Sequence, residues 1–214
     1  MYDFVEGTIC LQLPETDEDF YQSAVGFGTF QQLLTDFPAA KLHETIPNFH
    51  NTPDRYRALL ETLERDPMHR AAQVQPEIEF ALARQAEMSA IQNALTAGEL
   101  PLRVTHNDTK LNNVLLDAAT RQALCVIDLD TVMPGSSLYD FGDSIRFGAA
   151  TAAEDEKDIS KMDFHDFPVK CLTISPKKRI IESTVLQFSM KMRKSFGKNE
   201  SSRISCMLFS TGGY

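Results

Sequence analysis

The chain has 214 residues, 43% of them hydrophobic and 24% charged, the proportions of a soluble globular protein with a sizeable core. A net charge of −9 and a pI near 5.0 exclude a general affinity for nucleic acid or anionic membrane, which draws on a positive field. No apolar run approaches the ~18 residues of a membrane span, no basic-then-apolar leader opens the sequence, and Cys10, Cys125, Cys171 and Cys206 form no CxxC pair, so a cytoplasmic protein without zinc fingers or a disulfide framework is expected.

Residues 1–10 read as a short extended piece broken at Gly7. Thr16 with Asp19 three positions on is a capping-box start, and Phe20, Ala24, Phe27 and Leu34 follow at helical spacing until Phe37-Pro38 closes the helix. The aromatic stripe from Phe20 to Phe37 is read as core. Residues 39–51 read as loop, with His43 and His50 as loop or packing histidines. Thr52 then caps a second helix with Pro53 in its first turn and an apolar stripe of Tyr56, Leu59, Leu60 and Leu63. A third helix is predicted from about Pro76 through Ile78, Leu82, Ile91 and Leu95 to a stop at Gly98.

After Gly98 the period shortens. Short strands are predicted at Leu102–Thr105, Asn113–Leu116 and Ala123–Ile127, with a turn at Asp117–Arg121. A loop holding Pro134-Gly135 and a helix from about Leu138 to Phe147 complete this part. The composition then changes. Residues 1–162 carry 12 Lys and Arg against 26 Asp and Glu, net −14, whereas residues 163–214 carry 9 against 4, net +5. Serine rises from 6 in the first part to 8 in the much shorter second. Glu154–Asp158 is a solvated charge run, and only residues 180–192 of the tail have helical spacing.

The chemistry concentrates in Thr105-His-Asn-Asp-Thr-Lys-Leu-Asn-Asn113, between two predicted strands. An aspartate, a lysine two on and an asparagine five on is the spacing of a kinase catalytic loop. Phosphoryl transfer needs a carboxylate to orient the attacking hydroxyl and accept its proton, and Asp108 fits. Lys110 is placed to offset charge on the transferring group, and the Asn113 amide oxygen to ligate magnesium. Fifteen residues later, Val126-Ile-Asp128-Leu-Asp130 ends a strand in carboxylates. Asp128 is the expected second Mg²⁺ ligand, and Asp130 a further ligand, a substrate contact or a plain surface acid.

HxDxxxxN followed by an Ile-Asp pair resembles the aminoglycoside phosphotransferase/choline kinase family. The longer string from His106 through Ile127-Asp128 to Tyr139-Asp-Phe-Gly-Asp143 resembles, more narrowly, its N-acetylhexosamine 1-kinases. The likeness is softer over Lys41–Tyr56 and covers roughly residues 2–162. It implies an α+β, protein-kinase-like C-lobe, mainly helical, with short strands carrying the catalytic loop. It implies ATP and Mg²⁺, and transfer of the γ-phosphate to the anomeric hydroxyl of GlcNAc or GalNAc. Carried over by residue, His106 braces the loop, Asp143 holds its geometry from behind, and Asp3, Phe4 and Val5 are the hinge whose backbone meets adenine.

Such enzymes carry an N-lobe ahead of the hinge, with a phosphate-covering loop and a strand lysine. Only Lys41 precedes the catalytic loop, after a helix-ending segment, and Gly26-Phe-Gly28 lies in a helical pattern. The expectation is therefore a C-lobe at residues 1–162 without its N-lobe, followed by a basic, serine-rich tail at 163–214 of different origin, disorder being one reading of it. The chain alone is expected to be weak or inactive. A noncatalytic remnant or interaction fragment, or a kinase for choline or an aminoglycoside, are the alternatives, and an N-lobe supplied in trans is left open. Sugar and ATP are the expected partners, with no nucleic acid and no membrane.

Overall fold

A computed structural model describes residues 3–149. The charge run at Glu154–Asp158, the tail at 163–214 and its 180–192 helix lie outside the described residues. Within them, five α-helices, five short strands and several 3-10 turns form an α+β arrangement: α1 (Asp17–Leu33), α2 (Thr52–Arg65), α3 (Gln75–Leu82), α4 (Ala90–Thr96) and α5 (Ser137–Ala149), with β1 (Thr8–Ile9), β2 (Arg103–Thr105), β3 (Val114–Asp117), β4 (Ala123–Val126) and β5 (Met133–Gly135). No described helix is long and apolar enough to cross a membrane.

The start of α1 is as the sequence predicts. Asp19 N–H donates to the Thr16 hydroxyl, and Thr16 N–H donates back to the Asp19 carboxylate at 2.9 Å. The same carboxylate accepts from Arg121 Nε at 2.8 Å, which ties the β3–β4 turn to the helix start. That turn is built by Asp117, whose Oδ1 accepts from the Ala119 and Thr120 backbones. Phe20 and Phe27 of α1 are buried, whereas Phe37 is exposed and leaves the aromatic stripe before its end. Gly26 explains the Gly-x-Gly pattern: a Cβ there would sit 3.0 Å from Val114 Cγ1, so the glycine lets α1 lie close on β3.

β1, β3 and β4 form one antiparallel sheet with β3 in the middle. Phe27, Val114 and Leu116 are the buried centre beneath it, with Ile9, Leu11, Ala123 and Val126 packed around them. β2 pairs with β5 in a separate antiparallel ribbon, Val104 opposite Pro134. The sequence reads Pro134-Gly135 as loop. Proline lacks the ladder N–H, but a two-stranded ribbon leaves each strand an open edge where this is tolerated.

Two helical expectations need correction. α2 is capped by Asn51, whose Oδ1 accepts from Asp54 N–H, one residue earlier than Thr52. The expected third helix is two helices, α3 and α4, separated by a 3-10 turn at Gln85–Glu87. At 100° per residue Ile91 would lie roughly 140° round a straight helix from Ile78. The break turns both apolar faces inward: Ile78, Ala81 and Met88 are buried, while Ile91, Ala94 and Leu95 pack on Leu100, Leu138 and Tyr139. α4 ends at Gly98 (φ 71°) in a Schellman turn, with Gly98 N–H donating to Leu95 O and Glu99 N–H to Ala94 O.

Candidate active site

The segment from His106 to Asn113 leaves β2, crosses the interior and enters β3. Its shape is fixed by α5. Asp140 Oδ1 accepts from Asn107 N–H at 2.8 Å, and Asp140 Oδ2 from His106 N–H at 3.0 Å and from the Gln31 side chain of α1. One turn along α5, Asp143 Oδ2 accepts from Thr109 N–H at 2.7 Å, and the Thr109 hydroxyl donates to Asp140 O at 2.6 Å. Two carboxylates three residues apart on one buried helix face thus hold successive backbone donors of the loop.

His106 is fully buried, its ring edge-on to Phe27 and Phe30 at 5.2 and 5.7 Å. Its Nδ1 accepts from Asp108 N–H at 3.3 Å, so Nε2 carries the proton and donates to Ile127 O at 2.9 Å. The ring bridges the loop and the end of β4 through these two contacts. Asn107 is left-handed (φ 68°), a conformation asparagine tolerates better than most residues.

This scaffold presents Asp108 half-buried. Asn113 Nδ2 donates to its Oδ2 at 3.0 Å and to its carbonyl at 2.9 Å, and Lys110 Nζ lies 3.3 Å from its Oδ1. Because both Asn113 contacts are to acceptors, the amide nitrogen must face Asp108 and the amide oxygen faces away. The β3–β4 hairpin sets Ile127 N–H on Asn113 O at 2.9 Å, so Asp128 follows directly on the residue paired with Asn113. Asp128 is exposed and left-handed (φ 61°). Its pKa is raised by its contact with the Asp130 carboxyl, by partial burial, and by the charges of Asp130 and Asp108. Asp108, Asn113, Asp128 and Asp130 therefore stand together, with Lys110 at their edge.

Asp3, Phe4 and Val5 do not join them. They are exposed and precede β1, whose Thr8 pairs with Asp117. That is the far end of β3 from Asn113, roughly 10 Å along the strand. Lys41 is exposed in a 3-10 turn, and the described residues hold only one other lysine, Lys110.

Residues 1–163 match the profile of a phosphotransferase enzyme family (APH). The chain belongs to that phosphotransferase family. Kinases of the family generally use ATP and a divalent metal, and the donor chemistry can be tested against the latter. Asp128 and Asn113 offer hard oxygens of the kind Mg²⁺ prefers, and the raised Asp128 pKa marks a place where a cation would relieve carboxylate repulsion; these two residues fit Mg²⁺. Among the described residues no three His, Cys, Asp or Glu side chains converge as a metal cage.

Two more features bear on the support of the loop. Asp143 is balanced by Arg146, whose Nε donates to its Oδ1 at 2.9 Å. Burial raises the Asp143 pKa, and Arg146 opposes that. Asp140 has no Lys or Arg partner among the described residues, and burial pushes its pKa up to about 6 despite the loop N–H groups and the Gln31 side chain. Asp143 is expected here from the resemblance, whereas Asp140 and Gln31 are not. The signal for Asp140 was present: it stands next to Leu138 and Tyr139 in an apolar helix face, three residues before Asp143.

Proposed function

We propose that this chain carries the C-lobe of an ATP-dependent sugar kinase of the N-acetylhexosamine 1-kinase type, weak on its own. The observation that supports this best is Asp108, held by Asn113 and Lys110 on a loop fixed from below by Asp140 and Asp143. A carboxylate oriented in this way takes the proton from the acceptor hydroxyl as its oxygen attacks the γ-phosphorus. The bond between that phosphorus and the β-bridging oxygen breaks, and ADP leaves. Lys110 offsets charge at the transferring group. Asn113 and Asp128 hold Mg²⁺, which neutralises phosphate charge when bound. Asp130 lines the same mouth as a further ligand or acceptor contact. Asp3, Phe4 and Val5 offer hinge backbone at the far end of the sheet, where a long nucleotide laid along it would put its base. A cytoplasmic location suits the ATP requirement.

The noncatalytic reading is favoured by one observation: neither lysine of the described residues lies on a strand to grip the α/β-phosphates. One assay separates the readings. The full chain is incubated with radiolabelled ATP, Mg²⁺ and, in separate arms, GlcNAc, GalNAc, choline and an aminoglycoside, beside Asp108→Asn. Slow labelling of a hexosamine, lost in Asp108→Asn, is the expected result. Labelling of choline or the aminoglycoside instead would reassign the acceptor, and no Asp108-dependent label in any arm would leave the remnant.

A further inference from the structure

Asn107, the residue before Asp108, uses every donor it has. Its backbone N–H goes to Asp140, and its Nδ2 donates to Thr131 O at 2.8 Å. Thr131 O only accepts, so the amide cannot be flipped, and its buried Oδ1 meets no well-formed donor among the described residues. Facing it is His50, from the loop before α2. The His50 ring stacks on Tyr139 at 4.3 Å and 16°, its carbonyl accepts from Gln92 Nε2, and its buried Nε2 also has no well-formed partner among the described residues. The two side chains are within reach of each other. Burial, helped by the charge of Arg55, drives the His50 pKa down to about 3, so the ring is neutral near pH 7 and has one N–H to give. An orphaned acceptor thus meets an imidazole in the one molecule where each can satisfy the other.

We propose that His50, as the Nε2–H tautomer, donates to Asn107 Oδ1 and is a positioning residue for Asp108. It holds the Asn107 side chain while Asp140 holds its backbone N–H, so the direction of the Asp108 carboxylate depends on a loop some 57 positions before Asn107 in the chain. The same loop is pinned to the other edge of the site, where the Thr45 hydroxyl donates to Asp130 O and Ile46 N–H reaches Met133 Sδ. The effect on catalysis rests on the phosphotransferase reading; the hydrogen bond does not.

The test uses the full chain and three variants. His50→Phe keeps a ring on Tyr139 and removes the donor, His50→Gln restores a donor near the Nε2 position, and His50→Asn places one nearer Nδ1. Amide exchange at Asn107 and Asp108 is expected to quicken about tenfold in His50→Phe and His50→Asn and to return in His50→Gln. Nitrogen NMR of the unmutated chain is expected to show His50 protonated at Nε2 alone. In the transfer assay kcat falls about tenfold in His50→Phe with KM for ATP unchanged, and His50→Gln recovers it. A ring protonated at Nδ1, or exchange at Asn107 indifferent to His50→Phe, would overturn the proposal. Altered exchange in a chain that transfers no phosphate would leave it standing and remove the kinase reading instead.

Discussion

Replacing Asp140 by asparagine separates what this residue does for the loop from what it costs the fold. Asp140 is wholly buried, with a pKa raised from 3.8 to about 6. A carboxyl whose folded pKa lies above its unfolded one binds protons more tightly in the native state. Its stabilising contribution is therefore complete below the unfolded value and is lost as pH climbs through the folded one. A shift of about two units corresponds to about 3 kcal/mol, roughly half of it gone by pH 5 and nearly all by pH 7. Asp140→Asn cannot ionise and escapes this loss. Urea denaturation of both proteins from pH 4 to 7.5 should show the variant gaining about 3 kcal/mol on the unmutated chain across that range. The gain has a functional price, since the new amide nitrogen points a donor at His106 or Asn107 N–H. Exchange at those amides should therefore quicken even where the variant is the more stable. A stability difference that is flat with pH would refute the reasoning, because it would mean Asp140 is ionised alike in both states.

Two other substitutions test the packing of α5. Asp143→Ala leaves the Arg146 cation and the Thr109 N–H inside the protein without their carboxylate, and should cost about 3–5 kcal/mol in urea denaturation, with Asp143→Asn costing less because it still accepts from Thr109. A loss below about 1 kcal/mol for the alanine variant would mean that Arg146 finds another partner. Gly148→Ala drives a Cβ into the Phe20 ring, so the helix or the ring must move, and thermal unfolding should register about 1–3 kcal/mol of destabilisation. An unchanged melt would show that Phe20 swings aside freely.

Elements whose signals are local were legible in the sequence. The Thr16 capping box, the Gly98 stop and the Asp117 turn each depend on residues within a few positions, and each stands where it was read. The strand at Met133–Gly135 was hidden because its reason for existing is β2, some 30 positions away. The break between α3 and α4 was hidden because Arg84 to Glu87 are good helix formers, and only the direction of the core overrides them. In the site, motif spacing picked out Asp108, Asn113 and Asp128, which the fold gathers. It did not single out Asp140, which meets backbone N–H groups more than 30 positions away, or Gln31, whose side chain meets the Asp140 carboxylate. His50 looked like ordinary packing, and its ring does pack on Tyr139; the unmet bond at its edge exists only in three dimensions.

The loop's anchors on α5 lie 31 to 34 positions downstream of the groups they hold. During synthesis the whole HxDxxxxN segment therefore leaves the ribosome well before anything can shape it. Nascent chains that end at Gln122 contain every atom of the catalytic loop and still have no site. The geometry arrives late and at once, when α5 emerges and its two carboxylates capture the waiting amides. Mutations in α5 would then appear as defects in the timing and yield of folding as much as in chemistry.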